Sequence, residues 1–341
     1  MAFSCAASNP MQERETKMNE NRKVAILGLG SIGLRHAKNA MALGWPVIGY
    51  DRSLERCALL EDAGGKTVKS VDELWQQGWA GVIATPSGMH LDDLRQGVSA
   101  GVHLLVEKPI SHTVDGVERI LNEAKDKGIV VAVAFNLRFR PVVSAAREFL
   151  MSGKLGKFLW SRFICSSYLP DWRPSQDYRL GYANDPNSGG VIFDAIHELD
   201  LAQFLLGPAE VLTATCQQSH VLNLNSEDVA DIVLEHESGE RSSIHLDYIT
   251  RPRRRGFDVC GVNGLLSVDL VERNICFWNQ ENEVAFERSV PSDPNEEYLL
   301  EMEDFLDAAA QGGAPLCAAG DSLRVLEVAC QARSVCGLPT L

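Results

Sequence analysis

Gly28-Leu29-Gly30-Ser31-Ile32-Gly33 is the stretch of this chain whose residue types and spacing point most directly to chemistry. It follows the apolar run Val24-Ala25-Ile26-Leu27, which reads as a buried parallel strand. Leu34 to Ala42 then continues as a helix. In that setting Gly28 permits a tight turn, Gly30 lets backbone approach a pyrophosphate, and Gly33 lets helix and strand pack closely. The free N–H groups at the helix start, from Ser31 and Ile32 onward, suit phosphate oxygens. A second apolar strand, Val47-Ile48-Gly49-Tyr50, ends at Asp51, 23 residues after Gly28. A carboxylate there can accept hydrogen bonds from the adenosine ribose. It also repels a 2′-phosphate, so NAD is the expected cofactor; Arg52, next in sequence, softens that preference toward NADP. The bland alternative is a strand–helix turn with no ligand, which strand, spacing and acid together disfavour.

Three further groups carry chemistry. Glu107-Lys108-Pro109 falls at the C-terminal end of an apolar strand, His103-Leu104-Leu105-Val106, where open α/β sheets bind ligands. A lysine there can hold a substrate hydroxyl or exchange its proton; otherwise Glu107 and Lys108 are a surface pair beside a turn proline. Asp194, His197 and Asp200 recur at three-residue spacing after Gly189-Gly190. On one helix, neighbouring members share a face, and a carboxylate beside a histidine orients its ring and raises its basicity. Taken alone, a helical histidine is more often structural. Thr85-Pro86-Ser87-Gly88-Met89-His90 is a loop past which a nicotinamide could run.

The elements that must position these groups alternate strand and helix from Lys23 to about Phe135, which predicts a doubly wound parallel sheet. After Arg138 the pattern changes. Pro141 to Met151 reads as a helix, and Gly189-Gly190 opens another that runs to Leu206. Strands with two-residue alternation follow, such as Ile244, Leu246 and Tyr248 against His245 and Asp247. That alternation indicates an antiparallel or mixed sheet with one covered face. Two closing helices are expected over Glu296 to Gln311 and Asp321 to Cys336. The expected organisation is a polar, disordered extension at 1–21, a dinucleotide-binding domain at 22–138, and a substrate and oligomerisation domain at 139–341 whose last helices return to the first domain.

A hydrophobic fraction of 45% and a charged fraction of 23% describe an ordinary globular protein. The net charge of −14 argues against nucleic acid and anionic membrane as partners, and no apolar run approaches a membrane span. The nine cysteines show no CxxC and no zinc spacing. Free thiols in a reducing cytoplasm, and no metal site, are therefore expected.

The glycine motif, Thr85-Pro86 with His90, Glu107-Lys108-Pro109, and Gly189-Gly190 with Asp194 and His197, in that order, resemble the glucose–fructose oxidoreductase/inositol dehydrogenase (Gfo/Idh/MocA) family. The resemblance runs from Lys23 to Cys336. It implies a Rossmann domain, a C-terminal α/β domain with a large open, mostly antiparallel sheet, and hydride transfer at a sugar or polyol carbon. It further implies that Lys108 and His197 lie near the reacting hydroxyl, with Asp194 beside them, that Thr85, Pro86, His90, Glu107 and Lys108 line the cofactor, and that Pro109 is cis. The family separates the aspartate and histidine by four residues, whereas Asp194 and His197 are three apart.

Asn136-Leu137-Arg138-Phe139-Arg140-Pro141 and the segment from Ser167 to Arg179 look like a narrower branch associated with surface-polysaccharide and nonulosonic-acid biosynthesis. That implies a sugar or nucleotide-sugar substrate, with Asn136, Arg138, Tyr168, Trp172 and Arg179 as its binding residues. The segment has its own physical reading. Aromatic rings stack on sugar C–H faces, and Arg173 and Arg179 can grip an anion; a packed loop or a subunit contact is the structural alternative. A homodimer or homotetramer is expected, because an open sheet has a face to cover. Two other functions fit the same motifs: a dinucleotide-binding sensor without turnover, and an epimerase or glycosidase in which NAD is reduced and reoxidised within one cycle.

Overall fold

The computed structural model describes residues 22–339 apart from 173 and 175. The extension expected at 1–21 lies outside the described residues, as does Arg173.

Six parallel strands form the first sheet: β1 (Lys23–Leu27), β2 (Val47–Tyr50), β3 (Lys66–Thr67), β4 (Gly78–Ile83), β5 (His103–Val106) and β6 (Val131–Val133). They lie in the order β3-β2-β1-β4-β5-β6. The chain reverses direction of build between β1 and β4, and that switch point is where such sheets bind ligands. Val24, Ala25 and Ile26 are fully buried, as expected of a strand covered on both faces.

Two glycines fix the first turn. Gly28 has φ +89°, and a Cβ on it would meet the Ala84 carbonyl oxygen at 2.6 Å. A Cβ on Gly33 would come to 1.9 Å from the Gly28 carbonyl oxygen. Helix α1 (Ser31–Ala42) can therefore press onto β1 only with glycine at both places.

The second half is built on eight strands, β7 (Phe158–Ser166), β8 (Ala209–Gln217), β9 (Val229–His236), β10 (Arg241–Asp247), β11 (Arg254–Gly261), β12 (Gly264–Asp269), β13 (Asn274–Asn279) and β14 (Val284–Ser289). Their order is β14-β13-β12-β11-β7-β10-β9-β8, and only the β7–β10 pairing is parallel. The inward set includes Ile244, Leu246, Tyr248, Leu266 and Val268, all buried, with Phe163 stacked on Phe257 across β7 and β11. Helix 141–151, the helices after Gly190 and helix 319–335 cover this face. Trp160, Leu159 and Leu212 are exposed in β7 and β8.

The helix expected from Gly190 to Leu206 is broken. Val191–Asp194 forms one turn, Ala195 and Ile196 interrupt it, and His197–Leu206 begins anew. Asp194 and His197 therefore do not share a helix face. Helix Glu296–Gln311 returns to pack on α1. The cysteines depart from expectation at one pair: Cys216 and Cys336 form a disulfide, with Cα atoms 5.7 Å apart. Helix 319–335 lies along β8 and brings together two cysteines 120 residues apart, a pairing that no local spacing announces. Cys57, Cys165, Cys260, Cys276, Cys317 and Cys330 are free. No helix among the described residues is long and apolar enough to cross a membrane.

Candidate active site

The mouth of the first sheet is shaped for a dinucleotide. Helix α1 starts at Gly30 with no side-chain cap and no acidic residue in its first turn, which leaves its N–H groups for an anion. A Cβ at Gly30 would meet nothing within 4 Å, so the backbone there opens onto free space. Ser31 is exposed and Ile32 half-buried. Asp51 leaves β2 with Oδ2 accepting from the Leu29 N–H at 2.8 Å and Oδ1 from the Ser53 N–H at 2.8 Å. Its carboxylate is thus anchored against the glycine turn. Arg52 is exposed beside it. These residues fit NAD: open backbone for the pyrophosphate, free helix amides and a fixed acid.

His90, expected to line the cofactor, is tied to backbone on both sides of its ring. Its ring is buried, with Nδ1 2.8 Å from the Pro109 carbonyl oxygen and Nε2 2.8 Å from that of Thr85. It bridges the Thr85-Pro86 loop to the Lys108–Pro109 peptide, which is cis. Thr85 donates its hydroxyl to Asp93 Oδ2 at 2.6 Å, while Pro86 remains exposed. Glu107 Oε1 lies 2.8 Å from His36 Nε2 on α1. Burial alone would push the Glu107 carboxyl up, but His36, Lys108 and His90 bring it below its ordinary value.

Lys108 turns away from Glu107 and into the second half. Its Nζ donates to the Asp194 carbonyl oxygen at 2.7 Å and sits 3.3 Å from Asp194 Oδ1. The hydroxyl of Tyr182 also donates to Oδ1, and that of Tyr248 donates to Oδ2 at 2.9 Å. Asp194 is therefore surrounded by donors and does not touch His197 as the spacing implied. His197 packs edge-on against Phe135, with ring centres 5.7 Å apart, and its buried Nδ1 has no partner among the described residues. Burial first, then Lys108, Arg255 and Arg140, hold the imidazole well below its ordinary value. The shift is opposite in sign to that expected of a carboxylate-paired histidine.

A cavity of about 390 Å³ opens beside Asp194, lined by Leu169, Trp172, Tyr178, Leu180 and Tyr182 among others. Trp172 donates its indole N–H to Ser167 Oγ at 2.6 Å and meets the Tyr248 ring edge-on. Its half-exposed face is available for stacking. Tyr168 instead lies under the Arg251 guanidinium, 3.3 Å from its ring centre, and Arg251 pairs with Asp171. Arg179 is exposed and pairs with Asp177 at 2.8 Å.

Two residues expected at the substrate, Arg138 and Asn136, make internal contacts. Arg138 is buried, with Nη2 2.6 Å from Asp200 Oδ1, Nε 3.1 Å from both carboxylate oxygens, and Nη1 on the Leu316 carbonyl. Each of its three nitrogens is thus bonded inside the protein. Asn136 is likewise buried and donates to Glu297 Oε1 at 2.9 Å. Sequence reading missed Tyr182 and Tyr248. Tyr182 continues the aromatic run that stopped at Arg179, while Tyr248 matched the core alternation of β10 and so read as packing alone.

Residues 22–135 match the family model described as "Oxidoreductase family, NAD-binding Rossmann fold", and residues 143–267 match "GFO/IDH/MocA C-terminal domain". The chain is 28% identical over 276 residues to 1,5-anhydro-D-fructose reductase of Ensifer adhaerens, covering 77% of this chain and 79% of that protein. It is 23% identical over 320 residues to UDP-N-acetylglucosamine 3-dehydrogenase of Acidithiobacillus ferrooxidans, covering 91% and 96%. Among solved structures, levoglucosan dehydrogenase in complex with NADH shares the fold at a TM-score of 0.83 and 20% identity, covering 94% of this chain and all of that one. Two matched models that together span both halves, with the Lys108–Asp194 contact joining them, place the chain in the GFO/IDH/MocA family of NAD-binding oxidoreductases, of sugar-dehydrogenase type.

Proposed function

We infer that this protein moves a hydride between a carbinol carbon of a sugar or nucleotide sugar and the nicotinamide of NAD. The observation that carries the reading is Lys108 Nζ, held on Asp194 at the end of β5 and next to an aromatic-walled cavity. The backbone of Gly28–Gly33 and the α1 amides would hold the pyrophosphate, and Asp51 the adenosine ribose. The nicotinamide supplies the hydride acceptor or donor at its C4.

The remaining work falls to side chains. Lys108 donates a hydrogen bond to the substrate oxygen and stabilises negative charge as the hydroxyl loses its proton. Neutral His197 accepts that proton in the oxidising direction and returns it in the reducing one; its depressed proton affinity favours the return. Asp194 fixes the ammonium, while Trp172 and Tyr182 offer ring faces to the sugar. Asp51 favours NAD over NADP by charge. The same reading places the protein in the cytoplasm, where such cofactors are recycled. A second copy of the chain would cover the outer sheet face around Trp160, which light scattering would reveal as a mass of two or more chains.

The test is absorbance at 340 nm with purified protein, NAD or NADP, and a panel of sugars, polyols and nucleotide sugars. Substrate-dependent NADH formation supports the reading. Silence across the panel, with NAD binding confirmed by calorimetry, would instead support a sensor or a closed redox cycle.

A further inference from the structure

Arg333 is the largest fully buried side chain among the described residues, and no step above uses it. It projects from the last turn of helix 319–335 beneath the broken helix that carries Asp194. Its Nη1 lies 2.9 and 3.1 Å from the two Glu227 carboxylate oxygens and 3.1 Å from the Gly189 carbonyl oxygen. Its Nη2 donates to the Pro186 carbonyl oxygen at 2.7 Å. The guanidinium also covers the ring of Phe193, the neighbour of Asp194, at 4.6 Å.

Glu227 completes the contact from the other side. Its carbonyl oxygen accepts the Val191 N–H at 3.0 Å, and its Oε1 accepts the Ile192 N–H at 3.3 Å. It caps the turn that ends at Asp194. The fit is close enough to dictate sequence: a Cβ on Gly190, which has φ +90°, would fall 2.2 Å from the Glu227 carboxylate. A Cβ on Gly189 would fall 2.1 Å from the Tyr182 carbonyl oxygen. Arg333, Glu227 and the two glycines thus lock the backbone between Tyr182 and Asp194, whose side chains meet at the Asp194 Oδ1 that Lys108 also approaches.

We propose that Arg333, acting through Glu227 and the Gly189 and Pro186 carbonyls, is the positioning residue that sets the Asp194 contact with Lys108. The proposal rests on the reading of Lys108 as the group at the substrate oxygen, but its geometry can be tested without substrate. One planar fork serves four acceptor groups here, the Glu227 carboxylate and the Gly189, Pro186 and Pro339 carbonyls, which an ammonium cannot reproduce. Removing one member of a buried ion pair leaves the other uncompensated, whereas removing both avoids that penalty.

The experiment compares wild type with Arg333→Lys and with the double variant Arg333→Met/Glu227→Met. Acetic anhydride labelling of each lysine is followed by mass spectrometry, alongside NADH binding by fluorescence. The expected result is that Lys108 labels about fivefold faster in both variants, the factor given by losing one ordinary hydrogen bond. Lys23 and Lys127, bonded to Gln77 and Glu123 in the dinucleotide half, should label at the wild-type rate, and NADH should bind normally. A general loss of packing would move all three lysines together and overturn the proposal. Wild-type labelling of Lys108 in both variants would also overturn it. Faster Lys108 labelling with unchanged turnover would keep the positioning role and overturn the catalytic reading of Lys108.

Discussion

Lys108 Nζ and Asp194 meet twice, at the carbonyl oxygen and at Oδ1, across the boundary between the two halves of the chain. The ammonium is thereby aimed by backbone as well as by charge. A carboxylate that also accepts from Tyr182 and Tyr248 has little freedom to act as a base itself. Asp194 is the holder in this pair and Lys108 the group held.

Tyr248→Phe tests the holder. The change removes a buried donor from Asp194 Oδ2 and leaves that oxygen short of a partner. Loss of about 1–3 kcal/mol of stability is expected, with a lower kcat and an unchanged affinity for NADH. Thermal unfolding and steady-state kinetics check both.

Asp51→Ser should shift cofactor choice. The serine removes the charge that repels a 2′-phosphate and a charge-assisted hydrogen bond to the ribose, worth roughly 1.5–3 kcal/mol. NAD should bind about tenfold or more weakly, while NADP gains in relative kcat/KM. Unaltered kinetics with both cofactors would remove Asp51 from the ribose.

His197 carries a pH signature in stability. Its folded-state proton affinity is depressed, so between that value and the ordinary one near 6.5 the unfolded chain binds the extra proton. Stability is thus unaffected by this group above about pH 6.5 and falls as pH drops below it, by at most about 1.4 kcal/mol per pH unit. Urea unfolding of wild type and His197→Asn at pH 7.5 and 5.5 should show a smaller acid loss in the variant.

The sequence carried the dinucleotide half in detail because each of its devices is local. Gly33 is forced by the Gly28 carbonyl five residues back and Gly28 by its own φ of +89°, with Ala84 closing on it from the neighbouring strand, and Asp51 follows one strand later. The second half was legible as a sheet through the alternation of Ile244, Leu246 and Tyr248, but its pairings were not. The motif around Arg138 gives no sign of its partner Asp200, 62 residues on. The helix break at Ala195 and Ile196 escaped for a similar reason: neither residue is a helix breaker, and at the break the Asp194 carbonyl oxygen accepts from distant Lys108 while the Glu198 N–H turns to Ala195. The Cys216–Cys336 pair likewise depends on where the last helix lands.

The central claim is that Lys108 works at the substrate oxygen, and the most direct test is the 340 nm trace of Lys108→Met beside wild type at matched NAD occupancy. With the best substrate of the panel, the variant should lose on the order of 10² to 10⁴ in kcat while its NADH affinity stays the same. Equal turnover by the two proteins would contradict the account.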